Sequence, residues 1–199
     1  MTYSFMLEGE FPDETVKSAY EQIEGKLEEA ENLYWKQPRE CGMKLREAAE
    51  TICHFYNEYY GIGFPAETTM EHYLCYTSDE AHNVMVSRFL SSARKEQRDR
   101  LNKLRVLGDD CISGEEGPDR GMRYEDRMAQ NAEKMLDAMM EVIKEMCRRI
   151  NGRTDVEDYW VYEDKMPGYS ETEERFPQEK EPEPTEKKSF WAKLFSGKK

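Results

Sequence analysis

Apolar positions recur along this chain at helical spacing and almost nowhere at strand spacing. Val16, Tyr20, Ile23, Leu27, Ala30 and Tyr34 alternate steps of four and three, which predicts a first long helix over Asp13–Trp35. Pro12 and Asp13 are suitable start residues, and Glu14 stands where a helix N-terminus favours negative charge. The opposite face carries Glu21, Glu24, Glu28, Glu29 and Glu31, with Gly25 as a place for close packing against a neighbour. Pro38 opens a second helix to about Tyr60, with Leu45, Ala48, Ala49, Ile52, Tyr56 and Tyr59 on its apolar face. Gly61–Pro65 stops it.

A short helix over Glu67–Tyr76 follows. Ser78, with Asp79 and Glu80 after it, predicts the N-cap of a single long helix running to about Leu107, because no breaker occurs before Gly108. Glycines, acids and Pro118 make Gly108–Gly121 a loop. The last helix has the clearest stripe: Met128, Ala132, Met135, Met139, Val142, Met146 and Ile150, with Gly152 after its end. Methionine stripes can form adaptable binding grooves, but more often they are core, and we read this one as core. The pattern predicts an all-α bundle of about five helices over residues 13–152, preceded by an arm at 1–12. An extended aromatic segment at 153–166 and a polar, proline-bearing disordered linker at 167–188 follow. The amphipathic peptide 189–199 ends the chain, with Phe190, Trp191, Leu194 and Phe195 between lysines. It could dock on a protein partner, touch an anionic membrane surface, or fold back on the bundle.

The chain has 199 residues, and its net charge of −13 argues against wholesale polyanion binding. The charges are unevenly spread. Arg88, Arg94, Lys95, Arg98, Arg100, Lys103 and Arg105 face only Glu96 and Asp99 in the same stretch, and Arg120, Arg123 and Arg127 follow. Two readings stay open: these cations neutralise the acidic face of the first helix, or they contact phosphates, with Arg94, Lys95, Arg98, Lys103 and Arg123 as the candidates. No apolar run is long enough to cross a bilayer, and the N-terminus lacks the basic and apolar regions of a signal peptide. Five cysteines without a CxxC pair make neither a disulfide framework nor a zinc site, and a reducing cytoplasm is the simplest location. His54, His72 and His82 lack metal-ligand spacing, no phosphate loop or nucleophile elbow occurs, and the sequence calls for no metal or cofactor.

Two short motifs remain. In the second helix, Leu45-Arg46 and Glu50 put a guanidinium and a carboxylate on one helix face, as in an ordinary surface pair. Leu104-Arg105-Val106-Leu107-Gly108-Asp109 reads by itself as a glycine C-cap with acids capping the turn. Together, L-R-x-x-x-E and L-R-x-x-G-N-x-x-x-H ahead of a last long helix resemble the HEPN-like helical domain. More narrowly, they resemble the HEPN-related domain found alone in bacteria and in the restriction subunits of type I restriction systems. The similarity covers about Asp13–Ile150, with Arg46, Glu50, Arg105, Gly108 and Asp109 as the motif site. Asp109 stands in place of asparagine and Ser113 in place of histidine. Catalytic HEPN ribonucleases need an arginine–histidine pair, and a serine does not replace a near-neutral imidazole. The resemblance therefore implies a non-catalytic binding module for nucleic acid or a nucleotide, in bacterial defence or nucleic-acid processing, that pairs with a second copy. The alternatives are an adaptor acting through the C-terminal peptide and a divergent ribonuclease using Arg105.

Overall fold

A computed structural model describes residues 3–113 and 123–158. Six α-helices carry the fold: α1 (Glu14–Leu33), α2 (Pro38–Tyr59), α3 (Met70–Leu74), α4 (Glu80–Ser92), α5 (Lys95–Ser113) and α6 (Tyr124–Ile150). Short 3-10 turns at Ser4–Leu7 and Asp155–Asp158 flank them, and no strand occurs among the described residues. The expected all-α bundle is what forms, with one helix more than the periodicity predicts.

α2 is the central helix and packs on α1, α5 and α6. α1 buries the predicted Val16, Tyr20, Ile23, Leu27 and Ala30, and its start is fixed by Asp13, whose carboxylate accepts from the Val16 N–H at 2.9 Å. Gly25 has no neighbour within 4 Å of where a Cβ would stand, so it marks no close packing. The methionine stripe of α6 is core: Met128, Met135, Met139 and Met146 are at most 1% exposed. The N-terminal arm docks rather than trails. Phe5 and Met6 are buried, and the Tyr3 hydroxyl donates to the Leu136 carbonyl at 3.2 Å. Arg153, just after α6, donates to the carbonyls of Phe5 and Glu8 and holds the arm to that end of the bundle.

The stop after α2 has a side chain behind it. Gly61 and Gly63 adopt φ of +59° and +101°, a region that L side chains rarely enter. Buried Asn57 then clamps the turn. Its Oδ1 accepts from the Gly63 and Phe64 N–H groups at 3.1 and 2.9 Å, and its Nδ2 donates to the Phe64 carbonyl at 3.0 Å.

The structure corrects the sequence reading between residues 78 and 113. The cap of α4 is Asp79, which accepts from the Ala81 N–H at 2.9 Å, one residue later than the predicted Ser78. The predicted single helix is two. Ala93 is extended at φ −115°, ψ 147°, and separates α4 from α5. Ser91 and Ser92 turn their hydroxyls back onto the Ser87 and Phe89 carbonyls, both at 2.7 Å, a bond pattern that loosens a helix. Arg149 of α6 donates to the freed Ser92 carbonyl at 2.5 Å. The two helices also face different partners: α4 turns Val86 and Phe89 inward beside α3, whereas α5 turns Gln97, Leu101, Leu104, Gly108 and Cys111 toward α2 and α6. One straight rod cannot serve both.

The second correction is at Gly108, which is buried inside α5 and caps nothing. The predicted loop is helical through Ser113; residues 114–122 are outside the described part. Of the segment predicted as extended, Arg153 and Thr154 lead into a 3-10 turn at Asp155–Asp158 with Val156 buried, and residues 159–166 lie outside the described part, as do the linker and the C-terminal peptide.

Candidate functional site

The two motifs meet where α2 crosses α5. Gly108 allows the approach: a Cβ there would stand 2.6 Å from Arg46 Cβ and 2.8 Å from both Arg46 Cγ and Cδ. Gly42, one turn earlier on α2, does the same on the other side, where a Cβ would collide with the Cys111 sulfur. The helices thus interlock through two glycines, and the Arg46 stem lies flat across α5.

This places Arg46 Nε 2.8 Å from Asp109 Oδ1, although 63 residues separate them in sequence. Arg105, one turn before Asp109, brings its Nη1 to the other oxygen, Oδ2, at 3.3 Å, and its Nε donates to Asn102 at 3.2 Å. Two guanidiniums therefore share one carboxylate. Arg46 also pairs with Glu50 at 3.5 Å, and Glu50 Oε2 accepts from the Met70 N–H at 3.1 Å, which continues the chain of contacts to the start of α3. The five predicted motif residues converge. Arg46 and Arg105 are 19% and 18% exposed at the side chain, whereas Asp109 is 42% exposed, so the cluster has a solvent-facing acid over half-buried bases.

A second polar layer was not foreseen. Asp110 accepts from Asn131 Nδ2 at 2.7 Å and pairs with Arg127 at 3.5 Å, tying α5 to α6. Arg39, in the first turn of α2, donates to the Cys111 and Ile112 carbonyls at 2.8 and 3.2 Å, in the last described turn of α5. Ser113 is the last described residue of α5, and its hydroxyl donates to the Asp110 carbonyl at 3.2 Å.

The candidate phosphate-contacting residues do not form one patch. Lys95, Arg98, Asn102, Arg105 and Asp109 follow at steps of three and four, so they make a single ridge of α5 beside Arg46. Lys95 and Arg98 have no ion-pair partner among the described residues. Arg94 instead pairs with Glu145 of α6 at 3.3 Å, and Arg123 pairs with Asp126 at 3.4 Å. Lys103 stands off the ridge near Asp137 of α6, whose carboxyl burial pushes above its ordinary value while the Lys103 charge partly opposes it. The idea that the cations neutralise the acidic face of α1 does not hold for these pairs: Arg94 and Arg100 find Glu145 and Glu141 on α6, and Arg127 finds Asp110 on α5. Glu29 of α1 is met by Lys44 of α2 at 3.2 Å.

The histidines are occupied in other ways. His54 Nδ1 sits 2.9 Å from the Tyr73 hydroxyl, His72 Nδ1 2.9 Å from the Thr69 hydroxyl, and His82 Nε2 3.2 Å from the Cys75 carbonyl. Burial pushes the Cys111 thiol up to about 11 and that of Cys147 up to about 12, so neither is a thiolate near neutral pH. Among the described residues no group of three or more metal-ligating side chains converges, and no helix is long and apolar enough to cross a membrane. Phe190, Trp191, Leu194 and Phe195 lie outside the described residues.

Comparison with family models, curated proteins and solved structures yielded no match. The class of protein that fold and site define is therefore a helical bundle with a two-arginine, two-carboxylate cluster at its α2–α5 crossing.

Proposed function

We propose that this bundle is a non-catalytic, HEPN-like binding module that takes nucleic-acid phosphates along the α5 ridge, in the cytoplasm of a bacterium. The observation that carries the reading is the pairing state of the ridge. Among the described residues no acid pairs with Lys95 or Arg98, and the two run directly into Arg105 and Arg46, which share one exposed carboxylate. A phosphate approaching Arg98 can add to the ridge, and one reaching Asp109 exchanges one anion for another between the same two guanidiniums. The acidity of the rest of the chain confines such contact to this side.

Filter binding of labelled single-stranded RNA across a salt series tests it. If Lys95, Arg98 and Arg105 each neutralise a phosphate, log K falls with log salt with a slope of about −2. Lys95→Glu with Arg98→Glu removes most of the binding. No salt-sensitive binding at low ionic strength, or an unchanged affinity in the double variant, rejects the proposal. Intact RNA in the same reactions, with Arg105→Ala as control, separates binding from the divergent-ribonuclease alternative. The adaptor alternative assigns the partner to Phe190, Trp191, Leu194 and Phe195 and is read by comparing captured partners with and without residues 189–199. Association with a second copy is a separate part of the proposal.

A further inference from the structure

We infer that the outer face of α4 is a self-association surface on which α4 of a second copy packs antiparallel. This specifies the second-copy part of the proposal above and is independent of phosphate binding. α4 buries only Val86 and Phe89. On its other side Glu80, Asn83, Val84, Ser87, Arg88 and Ser91 line a shallow open groove along the helix. Val84, 53% exposed, and Tyr76, 60% exposed, are the two most exposed large apolar side chains among the described residues. They flank the same spot, since the Tyr76 hydroxyl lies 3.4 Å from Ser87 Oγ.

The charges on this face commit it to one occupant. Glu80, Val84 and Arg88 are at i, i+4 and i+8, so they stand in one row: acid, apolar, base. A second α4 turned antiparallel about Val84 sets each Glu80 against the partner's Arg88 and the two valines against each other. A parallel arrangement sets like charge on like and is excluded. Neither Glu80 nor Arg88 has an ion-pair partner within the chain among the described residues, so both are available. Ser87 and Ser91 keep the neighbouring row small, which lets two helix backbones approach. The result is an isologous interface, in which one patch is its own complement. α4 has 13 residues. At 1.5 Å per residue the face is about 20 Å long. The buried area then falls at the low end for specific interfaces, the size class of weak, transient association, and we take about 10–100 µM as the range of dissociation constants to search.

Sedimentation velocity on the full chain from about 1 to 500 µM, without nucleic acid, spans that range. The parent chain is expected to move from monomer to dimer mass. Arg88→Glu places two acids opposite each other and should weaken association at least about tenfold. Glu80→Arg with Arg88→Glu restores the complement with signs exchanged and should recover it. Both positions are on the surface, and circular dichroism verifies that the variants fold. A parent chain that remains monomeric throughout overturns the inference. So does a dimer indifferent to Arg88→Glu, or a double reversal no better than the single one. Failure of RNA binding leaves the result unaffected, because no step of the measurement contains RNA.

Discussion

Gly108→Ala puts the α2–α5 crossing to a quantitative test. The added Cβ would meet Arg46 Cβ at 2.6 Å, with Cγ and Cδ at 2.8 Å. Cβ belongs to the stiff root of the side chain, so a rotamer change cannot relieve the first contact, and one helix has to move. Overpacking of this kind costs about 1–3 kcal/mol. Displacing the Arg46 stem also loosens the 2.8 Å contact with Asp109, and for a half-exposed pair that adds up to about 1 kcal/mol. Against this, alanine in a helix interior is favoured over glycine by about 1 kcal/mol. Taken at its full value, the ion-pair term cancels the alanine preference and leaves a net loss of about 1–3 kcal/mol, a Tm lowered by roughly 2–10 °C for a chain of this size. Gly25→Ala is the matched control: it is also helical, has nothing within 4 Å of the new atom, and should gain up to about 1 kcal/mol. Urea or thermal unfolding of both variants gives the two signs side by side. Arg46→Ala removes two of the three colliding atoms, so the double variant should recover at least about 0.5 kcal/mol relative to additivity. A Gly108→Ala chain as stable as the parent, or a cost indifferent to residue 46, would refute the close-approach argument.

Asp109→Asn leaves Arg46 and Arg105 without their shared carboxylate. Stability should fall by up to about 1 kcal/mol while RNA affinity rises, and affinity that falls in filter binding would contradict the exchange of anions at this site. Asn57→Ala removes three hydrogen bonds from the buried turn after α2 and should cost about 2–4 kcal/mol by urea unfolding, with a smaller loss showing that the two glycines hold the turn alone. Asp137 carries a carboxyl raised by burial, so folding favours its protonated form, and its contribution to stability improves as pH falls through the folded value toward the unfolded one. Asp137→Asn should therefore raise Tm at neutral pH, with the advantage shrinking on acidification; an advantage that grows toward acid pH would reverse the sign.

What could be read from the sequence follows from how each helix is buried. α1 and α6 turn a single stripe to the core, and α2 carries apolar residues at helical spacing, so periodicity finds all three within a few residues. The joint at Ala93 leaves no such trace: no glycine or proline marks it, and what bends the chain is a set of serine hydroxyls and the Arg149 guanidinium arriving from 57 residues away. Asn57 is silent for a similar reason. A buried amide that satisfies a turn is indistinguishable in sequence from a polar residue on a helix surface.

Gly108 shows why the site was half legible. A glycine near the end of a helical pattern has two uses: it can adopt the left-handed conformation that ends a helix, or it can vacate a Cβ so that another helix can pass. Gly61 and Gly152, at positive φ just past the ends of α2 and α6, are of the first kind. Gly108 is of the second, and only the Arg46 stem across it decides the matter. Once α5 continues past Gly108, Asp109 moves from a loop to the helix face one turn beyond Arg105, and the two motifs become parts of one cluster. The same continuation aligns Lys95, Arg98 and Arg105 on a single ridge, while the break at Ala93 points Arg88 away with α4. A seven-cation run that reads as one basic surface in the sequence is therefore divided by the backbone into separate surfaces. One of them leads to the arginine–carboxylate cluster, a second meets the acids of α6, and a third, with Arg88, is the charged row of the proposed α4 contact.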